Sequence, residues 1–333
     1  MNKFAVAQPK DYAQAASLLA DRKYSLPVLK AGGMDVLDHL KEGLTEPDLL
    51  INVKRLRTKD RNDAISREGD LIRIEAWATL SQIVESSIIR ESAPVVAQAV
   101  EFAATPQVRN VATAAGNLLQ RPRCWYYRND QFNCLKKGGS TCFAVDGENR
   151  YHAILGGGPC HIVHPSNLAP SLNICDAVVH LIGSKRASVP LNDLYHLPDK
   201  GVKSEHNLEP GEIITHVTLK AHPRSGFHAV KEKQSFDWPL ALACVSLQVN
   251  GQKIEAARVC AGAVAPVPWR LPKVEEALSG VSITDDAALR KASAIAAAGA
   301  KPMTDNAYKV QLLSVVVHRA ILKAAGLPSE GIA

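Results

Sequence analysis

The sequence predicts an α+β fold: two mixed subdomains, then a smaller sheet-plus-helices domain. Three observations carry this reading. Alternating runs such as LIRIEAWATL, DAVVHLIG and EIITHVTL read as strands. Helical-period runs separate them. A pair of apolar runs flanks Asn250-Gly251, a strong two-residue hairpin signal. The 333 residues exceed one ordinary core, so two or three domains or subdomains are expected.

Taken in order, the first 55 residues read as a compact α/β unit. Ala13, Ala16, Leu18 and Leu19 have helical spacing, with Asp11 as N-cap. LPVLKA is a strand, Gly32-Gly33 a turn, Met34 to Leu40 a helix and DLLINVK a second strand, a βαβ-like pattern. LIRIEAWATL is a strand ending near Thr79, and SQIVESSIIRESAPVVAQAVEFAAT is helical but broken before Pro94. No regular period survives between about 121 and 150. A loop this long inside a globular chain is functional or disordered, and its aromatics and cysteines favour function. After the strands of 171–220, a boundary near 222–228 leads to the hairpin and two helices, about 285–298 and 305–325. The expected domains are therefore 1–222, with subdomains of about 1–55 and 56–222, and 223–333.

Composition excludes several classes. With 46% hydrophobic and 22% charged residues the chain as a whole is not disordered. No window approaches 18 uninterrupted apolar residues, so no membrane span is expected. MNKFAVAQPKDYAQ lacks the pattern of a secretory signal. A net charge of +6 is modest and does not suggest nucleic acid. Seven cysteines, an odd number, argue against a disulfide framework. Cys175, Cys244 and Cys260 sit singly in apolar surroundings and read as buried small hydrophobes.

Three motifs carry chemistry. KAGGMD (30–35) follows a strand and opens a helix. Adjacent glycines allow close backbone approach, and exposed amides there suit a phosphate or pyrophosphate. An ordinary tight turn is the alternative. TAAGNLLQ (113–120) offers the Thr113 hydroxyl, the bare Gly116 backbone and the Asn117 amide to a flat polar ligand, or else simply ends a helix or strand. Cys124, Cys134, Cys142 and Cys160 form a C-x9-C-x7-C-x17-C series, which matches no simple zinc or ferredoxin template. Around them, Arg121, Arg123, Arg128, Lys136 and Lys137 face one acid, Asp130, and would favour thiolates. Gly138, Gly139 and Gly156–Gly158 would let amides approach the sulfurs. An iron–sulfur cluster, zinc and unligated thiols all remain open at this point. The basic residues interleaved with Trp125, Tyr126, Tyr127 and Phe132 also look like a stacking platform for single strands, but they are confined to one loop. His161 and His164 are metal ligands or turn-capping residues.

The order AGGMDVL, QVRNVATAAGNLLQ, HPSN, LEPGEIITHVTL, GAVAPVPWR resembles the FAD-binding subunit of the xanthine dehydrogenase/aldehyde oxidase family of molybdenum hydroxylases. The resemblance covers essentially the whole chain. It implies a two-subdomain FAD domain of the PCMH type and a C-terminal domain of the carbon monoxide dehydrogenase flavoprotein type. NLLQRPRCWYYRNDQFNC is similar to the insertion of the periplasmic aldehyde oxidoreductases of enteric bacteria, which carries a [4Fe-4S] cluster. On that resemblance Cys124, Cys134, Cys142 and Cys160 become cluster ligands in a loop of about 121–160. Val28, Leu29, Lys30, Ala31, Gly32, Gly33, Met34, Asp35 and Val36 would wrap the FAD pyrophosphate. Thr113, Gly116, Asn117 and Asn167 would contact the cofactor, Ile214 would lie near the flavin, and Lys233 matches a lysine in the family's Tyr/Phe-x-Lys stretch. Met34, Asn167 and Ala115 depart from the family's usual Thr, Asp and Gly.

The implied function is electron transfer as an oxidoreductase subunit. Its partners would be a large molybdopterin-binding subunit and a small [2Fe-2S] subunit, in a heterotrimer. No substrate-hydroxylating residue is expected in this chain. A 4-hydroxybenzoyl-CoA reductase-like subunit and a non-catalytic metal-binding scaffold are the alternatives. The location would be cytoplasmic, or periplasmic by co-export with a signal-bearing partner.

Overall fold

The structure, a computed structural model, describes residues 3–54, 56, 63–233 and 236–329. The chain opens with β1 (Ala5–Ala7), α1 (Tyr12–Leu19), β2 (Pro27–Lys30), α2 (Val36–Lys41) and β3 (Leu49–Asn52). Asp11 caps α1 by accepting from the Gln14 amide at 2.7 Å. The strands form a parallel sheet in the order β1-β3-β2, with Val28 opposite Leu50. Ala15, Ala16, Leu49 and Ile51 seal it against Ile213. The βαβ expectation is met here, and it fixes the turn at 31–35 on the sheet's C-terminal edge.

Next come β4 (Ile65–Glu68), β5 (Leu71–Glu75), α3 (Leu80–Glu85), α4 (Ser87–Ser92), α5 (Pro94–Glu101), α6 (Pro106–Arg109) and α7 (Ala114–Leu118). The expected strand through Thr79 ends earlier, at Glu75. Thr79 instead forms a capping box: its hydroxyl accepts from the Gln82 amide, and the Gln82 side chain accepts from the Thr79 amide. Ser86 caps α4 and so separates it from α3, while Pro94 opens α5. From 119 to 167 regular structure shrinks to α8 (Trp125–Arg128) and a 3-10 turn at Leu135–Lys137. After α9 (Leu168–Asn173), β6 (Val178–Ile182), β7 (Ser188–Pro190), α10 (Leu191–Leu194) and β8 (Ile213–Lys220) complete an antiparallel sheet in the order β4-β5-β8-β6-β7.

The last unit is an antiparallel sheet, β12-β11-β10-β9, made of β9 (Ser225–Val230), β10 (Ala241–Asn250), β11 (Lys253–Gly262) and β12 (Trp269–Arg270). Gly251 turns the expected hairpin with φ +59°. Helices α11 (Pro272–Leu278), α12 (Asp286–Ala294) and α13 (Tyr308–Ala325) follow, and α13 covers β9 and β10. Two large cores result. The first includes Phe227, Leu242, Cys244 and Cys260 from the last sheet, so it continues across the domain boundary. The second includes Ile154 and Leu155, so the end of the cysteine loop packs into the C-terminal unit. Cys175, Cys244 and Cys260 are fully buried, as their apolar surroundings predict.

Candidate functional site: a glycine-walled cleft beside a four-thiol loop

A cleft of about 1130 Å³ opens between the first sheet and the second subdomain. It is roomier than the range usual for drug-sized ligands. Val28, Leu29, Ala31, Gly32, Gly33, Met34, Asp35 and Val36 line one wall; Thr113, Gly116, Asn117, Asn167 and Ile214 line others. Gly32 explains why the two glycine motifs meet. A methyl group at its Cα would stand 2.0 Å from the Val111 carbonyl oxygen, so only glycine permits the contact. The Gly32, Gly33 and Met34 amides have no backbone acceptor among the described residues. Such amides suit an oxyanion.

The second motif is held by β-like bonds. Leu80 donates to the Ala112 carbonyl, and Ala114 and Ala115 donate to those of Ala78 and Ala76. Thr113 serves as the N-cap of α7, its hydroxyl oxygen accepting from the Gly116 amide at 3.2 Å. Its own O–H remains a donor. Asn117 accepts from the Ser166 hydroxyl at 2.6 Å, which joins the second motif to HPSN. Asn167 is buried and donates to the Ala99 carbonyl. Ile214 is buried on β8. Two of the expected residues do not line the cleft. Lys30 ends β2, where its carbonyl takes the Val53 amide; Lys233 lies on an exposed bend and donates its amide to Asp237.

Of the loop's basic residues Lys136 lies near enough to Cys160 to favour its thiolate, as the sequence predicts, while the arginines are drawn to acids. Arg123 pairs with Asp35, Arg128 with Asp35 at 2.9 Å and Asp38 at 2.5 Å, and Arg121 with Glu205 at 2.8 Å. Lys136 also goes to Glu205, and Lys137 caps the Asn129 carbonyl. The physical reason is proximity of acids from elsewhere in the chain, which a local count of residues 121–140 cannot include. Burial alone would raise the Asp35 carboxyl; the Arg123 charge and the Arg121 amide overcome it and hold it at about 2.

The four cysteines nonetheless share one region. Cys124 feels the charges of Cys142 and Cys134, and Cys142 and Cys160 shift each other's titration. Burial pushes Cys124 up to about 11, against amide bonds from Tyr127 and Tyr126. Cys142 is pushed down, chiefly by the Cys160 thiol and with help from the His161 and Ala144 amides; Cys160 moves up correspondingly. The His152 Nε2 lies 3.3 Å from the Cys124 sulfur. The amides near sulfur thus come from 126, 127, 144, 161 and 162, with the His152 ring beside Cys124. Gly139 is needed for a different reason, since a methyl group there would strike the Asn133 carbonyl, and one at Gly156 would strike the Trp269 ring. Among the described residues no three His, Cys, Asp or Glu side chains close on a point as a single metal ion requires. The aromatics are not a platform either. Trp125, Tyr126 and Phe132 pack against one another and against Phe143, Tyr151 and His152, mostly edge-on but with Tyr126 stacked on Phe143, and Tyr127 is buried. His164 is buried against Tyr195, with Nδ1 facing the Ser166 amide, which is the turn-filling role.

The family model described as the FAD binding domain in molybdopterin dehydrogenase matches residues 2–220. The chain belongs to this family. The CO dehydrogenase flavoprotein C-terminal domain matches residues 225–324. Among curated relatives of this flavoprotein, the aldehyde oxidoreductase FAD-binding subunit of Escherichia coli (strain K12) is 34% identical, covering 88% of this chain and 90% of its own. The carbon monoxide dehydrogenase medium chain of Afipia carboxidovorans is 25% identical, covering 95% of each. Carbon monoxide dehydrogenase from Hydrogenophaga pseudoflava shares the fold with a TM-score of 0.74 at 23% identity, over 98% of both chains. The protein is thus an FAD-binding oxidoreductase subunit of the molybdenum hydroxylase type.

Several residues of this flavoprotein's cleft and loop escaped sequence reasoning. His39 and Trp77 line the cleft; burial and then the Arg128 charge push His39 down to about 4. Trp238 lines it too, under the Arg123 guanidinium at 4.9 Å. His152, 28 residues from Cys124 in sequence, carried no local signal.

Proposed function

We propose that this chain relays electrons between a molybdenum-bearing large subunit, through a small [2Fe-2S] subunit, and an external acceptor, in an aldehyde-oxidising heterotrimer. The identity to the aldehyde oxidoreductase FAD-binding subunit supports the aldehyde class. The observation that carries the reading is the contact of Gly32 with Val111, which leaves free amides facing a large cleft. FAD, when bound, supplies an electron carrier able to trade one-electron and two-electron steps. The chain's own groups bind and orient it. The Gly32, Gly33 and Met34 amides would take phosphate oxygens, the Thr113 O–H and Asn117 would meet polar edges, and Ile214 would form an apolar floor. No proton-moving group is needed at these positions, in keeping with a relay rather than a hydroxylating site.

Cys124, Cys134, Cys142 and Cys160 would hold a [4Fe-4S] cluster. A cubane puts each thiolate on a different iron, so its ligands stand wider apart than the donors of one ion. Four free thiols that act on one another from a single loop match the ligand count of such a cluster, and the resemblance of the loop to the aldehyde oxidoreductase insertion favours iron over zinc. Cofactor insertion is placed in the cytoplasm, with any export carried by a partner subunit.

The test is anaerobic purification of the complex, a UV–visible spectrum, and flavin and iron assays. About one FAD and about four irons per chain beyond those of the partner subunits are expected, with Cys124→Ser losing iron first. Flavin without the extra iron would remove the cluster from the reading. Zinc without flavin would leave only a scaffold.

A further inference from the structure

We infer that Asp35 couples the two cofactor sites of this chain, so that filling the four-thiol loop tightens FAD binding and FAD binding tightens the loop. The inference rests on the proposed function, since it takes the cleft as the FAD site and the thiols as a cluster site.

Asp35 directly follows the free amides of Gly32, Gly33 and Met34 on the cleft wall. Its carboxylate does not turn into the cleft alone. Oδ1 accepts from Arg123 and from Arg128 Nη2 at 2.9 Å, and Oδ2 accepts from the Arg121 amide at 2.8 Å. Arg128 then folds back on the loop, donating from Nε to the Pro122 carbonyl at 2.8 Å and from Nη2 to that of Arg121 at 3.2 Å. Its Nη1 reaches Asp38 on α2 at 2.5 Å. The segment 121–128 is therefore closed into a ring around one carboxylate, and Cys124 sits within that ring. Arg123 extends the network to Trp238 on another wall of the cleft.

A shared charge network of this kind has two-way consequences. If ordering the 121–128 segment around four irons steadies Asp35, it also steadies the amide turn three residues before it. Linkage requires the reverse effect to be equal. The pairs are partly shielded from solvent, with Arg128 14% and Asp35 21% exposed, so screening does not erase the coupling. A factor of about ten in affinity lies within the usual range for such couplings.

The experiment uses the assembled complex, stripped of flavin and titrated with FAD by fluorescence quenching, with iron measured in parallel. Cys142→Ser removes a thiol that does not line the FAD cleft. It should lose iron and weaken FAD binding about tenfold. Asp35→Asn should lower both iron content and FAD affinity, and the double variant should show less than the product of the two FAD losses. Should Asp35→Asn not fold, Arg128→Gln keeps the carboxylate in place and should give the same paired loss. Iron lost with FAD affinity within about twofold of the parent would overturn the coupling alone. A parent complex that binds FAD but never the extra iron would overturn the cluster reading, and the coupling with it.

Discussion

Gly32 shows how a single residue sets the cleft. Its contact with the Val111 carbonyl is backbone against backbone, and neither side can rotate away. Gly32→Ala must separate the first motif from the second or shift both. The expected cost is about 1–3 kcal/mol in stability, with FAD retention on purification falling steeply. Gly116 offers the control. A methyl group there meets only the Thr113 hydroxyl, at 3.0 Å, so Gly116→Ala should be the milder change. Equal FAD content in parent and Gly32→Ala protein would show that the contact is dispensable. At this scale the glycines and Thr113 were legible because their roles are local: a turn, a close approach, a cap. Asp35 was legible as a member of the wall but not as an ion-pair hub, since Arg123 lies 88 residues away in sequence and Arg128 lies 93 away. No local pattern encodes such a pairing.

At the scale of elements, the strands and helices that follow a period were readable, and those set by side-chain capping were misjudged at their ends. The run through Thr79 alternates well enough to pass for strand, yet Thr79 and Gln82 have the spacing of a capping box and the helix wins. The cysteine loop had no period to read, and its order comes from elsewhere. Asn149, fully buried, bonds to the Ala144 and Gly147 carbonyls and to Thr304; Asn306 donates to the carbonyls of Asn149 and His152; Lys309 donates to those of Tyr151, His152 and Ala263. The start of α13 thereby clamps the segment that presents His152 to Cys124. Lys309→Met keeps the bulk but takes the side-chain donor from the Tyr151 and Ala263 carbonyls, while that of His152 keeps Asn306. It should destabilise the protein by about 3 kcal/mol, and iron should be lost at a lower temperature than in the parent. A calorimetric scan with iron release followed in the same sample checks both. Unchanged iron release would mean that the clamp serves the C-terminal unit only.

For the whole molecule, the two domains share one apolar core, so charge changes in either are felt as global stability. The domain order and the sheet-plus-helices ending were visible in the sequence, but this shared core was not, because Phe227, Leu242, Cys244 and Cys260 look like the interior of their own sheet. The shared core makes the protein's acid behaviour a single transition. Burial pushes His164 down to about 4; burial, then Arg128, does the same to His39; burial, then Lys323 and Arg319, to His228. Each is depressed from 6.5, so the folded protein holds these imidazoles neutral while the unfolded chain takes up protons between about pH 6.5 and 4. The unfolded state binds more protons in that window, and stability must fall as pH falls through it. Asp35, held at about 2, acts lower and does not blur the window, because its contribution is lost only as pH drops below the ordinary carboxylate range. His164 and His39 together should remove on the order of a few kcal/mol by pH 4.5. Unfolding midpoints in urea measured from pH 7.5 to 4.5 should decline mainly below 6.5, and His228→Gln should flatten the slope without moving the midpoint at pH 7.5 by much. A flat profile down to pH 4.5 would mean that these histidines are solvated in the native protein.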